Sequence, residues 1–199
     1  MTTKPPPAPL HTGQLTREQY HELGRLGYFD GNRVELIYGE VVEMSPINWP
    51  HALGVKLVTD ALTAVFVTGY WLNIQQPFAV PGVKPGSEPQ PDVAVIAGAP
   101  RGYADHPDQA ALIVEVADAT LSNDLTTKAE LYATAGVPDY WVLDVAGREL
   151  HVFRAPQPLP LPEDLAATAY RTHLTLGPTD RVAPLAAPDA SVLVSDLLS

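Results

Sequence analysis

The chain has no cysteine, which excludes disulfide frameworks and thiolate metal sites alike. Any metal must therefore be held by oxygen atoms or by some of the six histidines. Long apolar runs are missing too: the strongest, around Ala61 to Val67, is far too short to span a bilayer. The opening Met1-Thr2-Thr3-Lys4-Pro5-Pro6-Pro7 lacks the apolar core of a signal peptide. The expectation is a soluble cytoplasmic protein without a membrane association. Basic residues are scarce and unclustered, 12 against 23 acidic ones, for a formal net charge of -11. That argues against a protein that grips nucleic acid by electrostatics alone. Chemistry on nucleic acid stays open, because a bound divalent cation reverses the local sign.

What is present suffices for a folded core. A chain of 199 residues, 46% of them hydrophobic, suits one compact α/β domain. Met1 to about Gly13 is proline-rich and reads as a flexible arm, leaving residues 14–199 as a single domain. Thr16-Arg17-Glu18-Gln19 has the form of a capping box and predicts a short helix to about Leu26. Val34 to Ile37 and Val41 to Met44 flank Tyr38-Gly39-Glu40 as a hairpin. From His51 to about Val67, apolar residues at Val55, Val58, Leu62 and Val65 step by the helical period.

Strands are predicted at Tyr70 to Ile74 and Phe78 to Val80, before a Pro/Gly-rich loop from Pro81 to Pro89. Asp92 to Ile96 and Ala111 to Val116 are almost continuously apolar, as central strands covered on both faces are. A helix follows from about Asn123 to Ala135, closed by Gly136 with Pro138 beyond. Tyr140 to Asp144 and Leu150 to Phe153 form a further hairpin. Pro156, Pro158, Pro160 and Pro162 read as an extended exposed loop. Ala169 to Leu176 and Val182 to Leu185 are read as strands, and Val192 to Leu198 as a short closing helix.

Glu115 stands in Leu112-Ile113-Val114-Glu115-Val116, where every neighbour is apolar. Burying an unpaired carboxylate costs several kcal/mol, so the residue needs a metal, a cation or a raised pKa. The competing reading is a strand-end Glu that reaches solvent or a structural arginine. Asp92, after Pro91, reads by itself as turn chemistry. As a pair, however, an Asp at the start of one core strand and a Glu inside the next converge if those strands are neighbours. Two hard oxygen ligands at one point suit Mg²⁺ or Mn²⁺ rather than zinc. Lys128 borders the apolar face formed by Leu125, Ala129 and Tyr132, one turn from Asp124. It is either an exposed lysine paired with Asp124 or, if its helix packs on the sheet, an ammonium beside the carboxylates.

Pro91-Asp92, Leu112-Ile113-Val114-Glu115-Val116-Ala117-Asp118, Lys128 and Leu131-Tyr132-Ala133 stand in that order. Ala135-Gly136-Val137-Pro138-Asp139-Tyr140-Trp141-Val142-Leu143-Asp144 follows them. Together these segments resemble the Uma2 family, classed as restriction endonucleases of the PD-(D/E)XK superfamily. The likeness extends upstream to Val34 through Pro46 and to His51, and covers most of the chain from about Leu15 to Phe153. It implies a restriction-endonuclease-like α/β core: a mixed central β-sheet flanked by helices, with extra β-hairpins. The wider nuclease pattern has lysine two residues after the acidic residue, where this chain has Ala117. The resemblance implies that the lysine has moved to the helix, as Lys128.

By the same resemblance, Asp92, Glu115 and the backbone carbonyl of Val116 would hold Mg²⁺, and Lys128 would be the third catalytic residue. Glu35 occupies the place of a family Glu, which implies a further contact to the metal or its waters; otherwise it is an exposed strand residue. His51 is a candidate for the site, with capping or surface placement as the alternative. Tyr132 and Trp141 read as core and Asp144 as a strand-end turn residue. The function implied is metal-dependent phosphodiester hydrolysis, with DNA as substrate and a homodimer as the assembly. A silent interaction module with the same fold, and a nuclease acting on RNA, are the competing readings.

Overall fold

The computed structural model describes residues 13–159 and 167–198. The expected proline-rich arm, Gly13 apart, and the stretch with Pro160 and Pro162 lie outside the described residues. Helix α1, Arg17–Arg25, opens with the expected capping box: Gln19 N–H donates to Thr16 Oγ1, and the Gln19 side chain accepts from Thr16 N–H. Strands β1, Val34–Ile37, and β2, Glu40–Glu43, form the antiparallel hairpin. Helix α2, Trp49–Val65, is capped by Asn48, whose side chain accepts from His51 N–H at 3.0 Å.

A six-stranded sheet follows in the order β3-β4-β5-β6-β7-β8. Its strands are Tyr70–Ile74, Val93–Ala97, Leu112–Ala117, Asp139–Asp144, Glu149–Pro158 and Thr168–Leu176. Only β5 and β6 pair in parallel. A parallel pair requires a crossover, and helix α3 (121–134) supplies it, including a π-helical stretch at Asp124–Lys128. Strands β9, Arg181–Val182, and β10, Val192–Leu193, form a separate short pair. The mixed sheet flanked by helices is the fold class expected from the sequence.

Alternation along the central strands divides the core into two layers. Val93, Val95, Val114 and Val116 pack with Val55, Val58 and Leu62 of α2. Ala94, Ile96, Ile113 and Ala117 pack with Ala129, Leu131 and Tyr132 of α3. Each fully buried aliphatic side chain contributes about 1.5–3 kcal/mol, which explains why polar groups on these strands are confined to their ends and to the site below.

Some segments differ from expectation. Phe78 to Val80 is not a strand: Phe78 and Val80 N–H donate singly to Pro89 O and Ser87 O. Prolines at 77, 81, 85 and 89 lack the donors that a ladder needs. Pro156 and Pro158, read as loop, belong to β7 opposite Tyr170 and Thr168. They are tolerated because β6 pairs with β7 only as far as Arg154, so the ring nitrogens meet no second strand. The closing segment is not a helix throughout: β10 precedes a single 3₁₀ turn at Val194–Asp196. The strand expected at Val182 to Leu185 stops at Val182, two residues before Pro184.

Gly54 sets how closely α2 approaches the sheet. A Cβ there would stand 2.7 Å from Val116 Cγ1. Alanine favours a helix over glycine by about 1 kcal/mol, yet Gly54→Ala is expected to destabilise, because overpacking costs about 1–3 kcal/mol. Urea denaturation measures the net change, and a gain in stability would show that α2 yields freely.

Candidate active site

The site lies where β4 and β5 separate. Their pairing runs only from Val93↔Val114 to Val95↔Leu112, so Glu115 and Val116 face a gap beside the residue preceding β4. Asp92 fills it: its Oδ2 accepts from Val116 N–H at 2.8 Å, and its own N–H donates to Glu115 Oε2 at 3.3 Å. Glu115 is thus tied to the backbone of Asp92, and Asp92 to the backbone of the residue after Glu115. Gln75 Nε2 donates to Asp92 Oδ1 at 3.1 Å.

Glu115, 3% exposed, accepts at Oε1 from Tyr132 Oη at 2.7 Å and from Lys128 Nζ at 3.1 Å. The π-helical stretch presents Lys128, and such distortions are frequent at functional sites. Its Nζ also lies 3.6 Å from Glu35 Oε1 and 3.8 Å from Asp124 Oδ1. Glu35, buried on β1, accepts at Oε2 from Gln90 N–H at 3.1 Å. His51, in the first turn of α2, spans the far wall: Nδ1 is 2.8 Å from Val116 O, and Nε2 is 3.1 Å from Asp92 Oδ1. These groups, Tyr132 apart, line a cavity of about 140 Å³ that also touches Arg33, Asn48 and Asp118.

The electrostatics follow from crowding of like charge. Burial pushes the Glu115 carboxyl up to about 8; Lys128 opposes this, and Asp92, Asp124 and Glu35 add to it. Asp124 is raised for the same reason, with Lys128 and the Thr120 hydroxyl opposing. Burial alone would lower Lys128, but Glu115, Glu35 and Asp124 carry it well above the ordinary lysine value. Burial likewise works against Asp92, yet His51, the Val116 N–H and Gln75 hold it below the usual carboxylate range. His51 is raised by its bond to Asp92, against its burial.

All five predicted side chains, and the Val116 carbonyl, therefore meet in one cavity. Lys128 is buried rather than exposed. Four partners lay outside the predicted set: Tyr132, expected only as core, and Asp124, Gln75 and Gln90. The first two carried a signal, since Asp124, Lys128 and Tyr132 are spaced by four residues on one helix face. Gln75 and Gln90 carried none, because their placement depends on irregular loops. Trp141 is fully buried and Asp144 Oδ1 accepts from Gly147 N–H, core and turn as expected.

The chain resembles known proteins both in its sequence family and in its fold. Residues 17–193 match the model of the Uma2 family, described as "Putative restriction endonuclease". The fold matches the crystal structure of a "putative nuclease belonging to DUF820" from Anabaena variabilis, with a TM-score of 0.69. That match covers 92% of this chain and 97% of the other at 14% identity, which makes it a likeness of fold. No curated protein matches the sequence. None of the described helices is long and apolar enough to cross a membrane. With most of its length matched by the family model, the chain belongs to the Uma2 family.

Proposed function

We propose that the protein is a Mg²⁺- or Mn²⁺-dependent endodeoxyribonuclease, with Asp92, Glu115 and Lys128 as its central residues. The observation that carries this reading is a charge surplus. Four buried carboxylates, of Glu35, Asp92, Glu115 and Asp124, face the single ammonium of Lys128 and the imidazole of His51. With all four ionised and His51 protonated, these six groups carry two surplus negative charges, and Arg33, Glu43 and Asp118, which also line the cavity, add one more on balance, a surplus that a divalent cation would relieve. The donors are hard oxygens, as Mg²⁺ and Mn²⁺ prefer. Asp92, Glu115 and the Val116 carbonyl would hold the ion, with Glu35 contributing through its waters.

When bound, the cation supplies Lewis acidity toward a phosphoryl oxygen and eases the ionisation of water. The chain's own groups do the rest. Lys128 offsets negative charge as the scissile phosphate approaches its pentavalent transition state. Tyr132 and the Asp92 N–H fix the Glu115 carboxylate from both of its oxygens. Gln75 orients Asp92, and His51 keeps the Asp92 carboxylate and the Val116 carbonyl aligned. Two symmetric copies would cut both strands of a duplex, which favours a homodimer.

Purified protein incubated with plasmid, single-stranded DNA or RNA in Mg²⁺ or Mn²⁺ tests this reading. DNA cleavage by the wild type is expected to fall at least about 100-fold in Asp92→Ala, Glu115→Ala and Lys128→Ala. Equal cleavage by wild type and all three variants refutes the assignment. Absence of cleavage together with absence of calorimetric metal binding identifies a silent module, and preference for RNA identifies the other alternative.

A further inference from the structure

A second group of ligating side chains lies outside this cavity. His21 on α1, Glu88 before β4 and His106 after the 3₁₀ turn at Pro100–Gly102 each direct one ligand atom to a common region, all within 4.8 Å of one another. His21 Nε2 is 2.8 Å from Glu88 Oε1, and His106 Nδ1 is 3.2 Å from Glu88 Oε2. A tetrahedral zinc ion holds nitrogen and oxygen ligands at roughly 2.0–2.2 Å, which sets them roughly 3.4 Å apart. The two histidine–glutamate spacings lie just below that value, and the ligand atoms, all within 4.8 Å of one another, would rearrange around one ion.

Ordinary ion pairing leaves this arrangement incomplete. Arg17 already engages Oε2, through Nε at 2.8 Å and Nη2 at 2.6 Å. His106 Nδ1, aimed at that occupied oxygen, is buried and completes no hydrogen bond. That nitrogen has only a 3.2 Å approach to an oxygen Arg17 already holds, and leaving a buried ring nitrogen so poorly satisfied carries a penalty that coordination removes. The Glu88 carboxylate is 2% exposed, whereas both imidazoles are over a third exposed, so an ion can reach them. Beside the group lies a cavity of about 410 Å³ bordered by Arg17, Asp105 and His106, with room for a water as fourth ligand.

We infer that His21, Glu88 and His106 form a second metal site that takes a borderline divalent ion of the zinc class and fastens α1 to the loops beside the sheet. Two imidazoles and one carboxylate suit zinc, whereas Mg²⁺ prefers an all-oxygen shell. The ligands lie 67 and 18 positions apart along the chain, so an ion that joins them closes long loops and stabilises the fold. Its effect reaches the first cavity through the backbone: Glu88 exchanges both N–H···O bonds with Leu36, next to Glu35. Gln90, two residues on, donates to the Glu35 carboxylate.

Zinc chloride titrated calorimetrically into the full chain, in excess Mg²⁺, tests the site. One equivalent is expected to bind to both wild type and Glu115→Gln, with a rise in melting temperature. His21→Ala and His106→Ala are each expected to weaken binding at least about tenfold. If either variant is unfolded by circular dichroism, His21→Gln or His106→Gln replaces it. Co²⁺ in place of zinc should give the visible absorption of a tetrahedral complex in the wild type, and lose it in the histidine variants. Zinc that fails to bind, binds the histidine variants undiminished, or is displaced by Glu115→Gln or by Mg²⁺ overturns the inference.

Discussion

Lys128→Met is expected to cost the metal-free protein about 3–5 kcal/mol of stability, while Glu115→Gln leaves stability unchanged or raised and removes cleavage. The asymmetry follows from which charge is outnumbered. Lys128 is 7% exposed, and its ammonium lies within 4 Å of Glu115, Glu35 and Asp124. Methionine fills much the same space without the charge, and leaves several carboxylates buried against one another. Removing one partner of a buried ion pair costs about 3–5 kcal/mol because the remaining charge is uncompensated. Glutamine at position 115 instead resembles the protonated carboxyl that burial favours, and it still accepts from Tyr132 and Lys128 through its carbonyl oxygen, giving up only the 3.3 Å bond that Glu115 Oε2 accepts from Asp92 N–H. The double variant Lys128→Met/Glu115→Gln should recover part of the loss, a coupling that a double-mutant cycle measures. Urea denaturation in EDTA supplies each value. A Lys128→Met loss below about 1 kcal/mol, the range of exposed pairs, would show that the ammonium is solvated and that the site is not the closed cluster described here.

The same asymmetry explains what could be read in advance. Glu115 was conspicuous because an ionised group within an apolar strand contradicts the pattern around it, and such contradictions collect at functional sites. Asp92 became persuasive only through strand order, and the antiparallel β4–β5 register supplies that adjacency. Lys128 was ambiguous for a physical reason: a helix lysine four residues from an aspartate looks the same whether its face is solvated or pressed on a sheet. Tertiary packing decides between them, and here Asp124, Lys128 and Tyr132 all turn inward. Gln75 and Gln90 were invisible because amides in loops are ordinary, and Phe78 to Val80 misled because its apolar content resembles a strand while the surrounding prolines deny it a ladder. His51 could be placed on its helix, but its bridge between Asp92 and the Val116 carbonyl depends on the close approach permitted at Gly54.

Stability of the metal-free protein is expected to fall as pH rises from about 4.5 to about 8, and Mg²⁺ is expected to abolish or reverse that slope. In the folded protein burial pushes Glu115 up to about 8, from an ordinary value of 4.5. Between those limits the folded chain holds a proton that the unfolded chain has released, so stability declines with pH. Asp124, also raised, acts in the same direction. His51, raised by Asp92, contributes stability present below its ordinary 6.5 and lost as pH climbs through its folded value. Asp92 acts oppositely, since its lowered value yields stability that is lost only as pH falls below about its ordinary 3.8. The combined change is of the order of a few kcal/mol. A divalent cation binds the ionised carboxylates, so its stabilisation grows with pH by mass action and opposes the decline. Melting temperatures across this range in EDTA and in Mg²⁺ should therefore diverge with increasing pH. Titrations of Mg²⁺ in buffers of different ionisation enthalpy should detect proton release near neutrality. Glu115→Gln should flatten the EDTA curve and remove most of the Mg²⁺ response. An EDTA curve that rises steadily from about pH 4.5 to about 8 would mean that Glu115 is ionised without a metal, and that the charge surplus is balanced by something other than a cation.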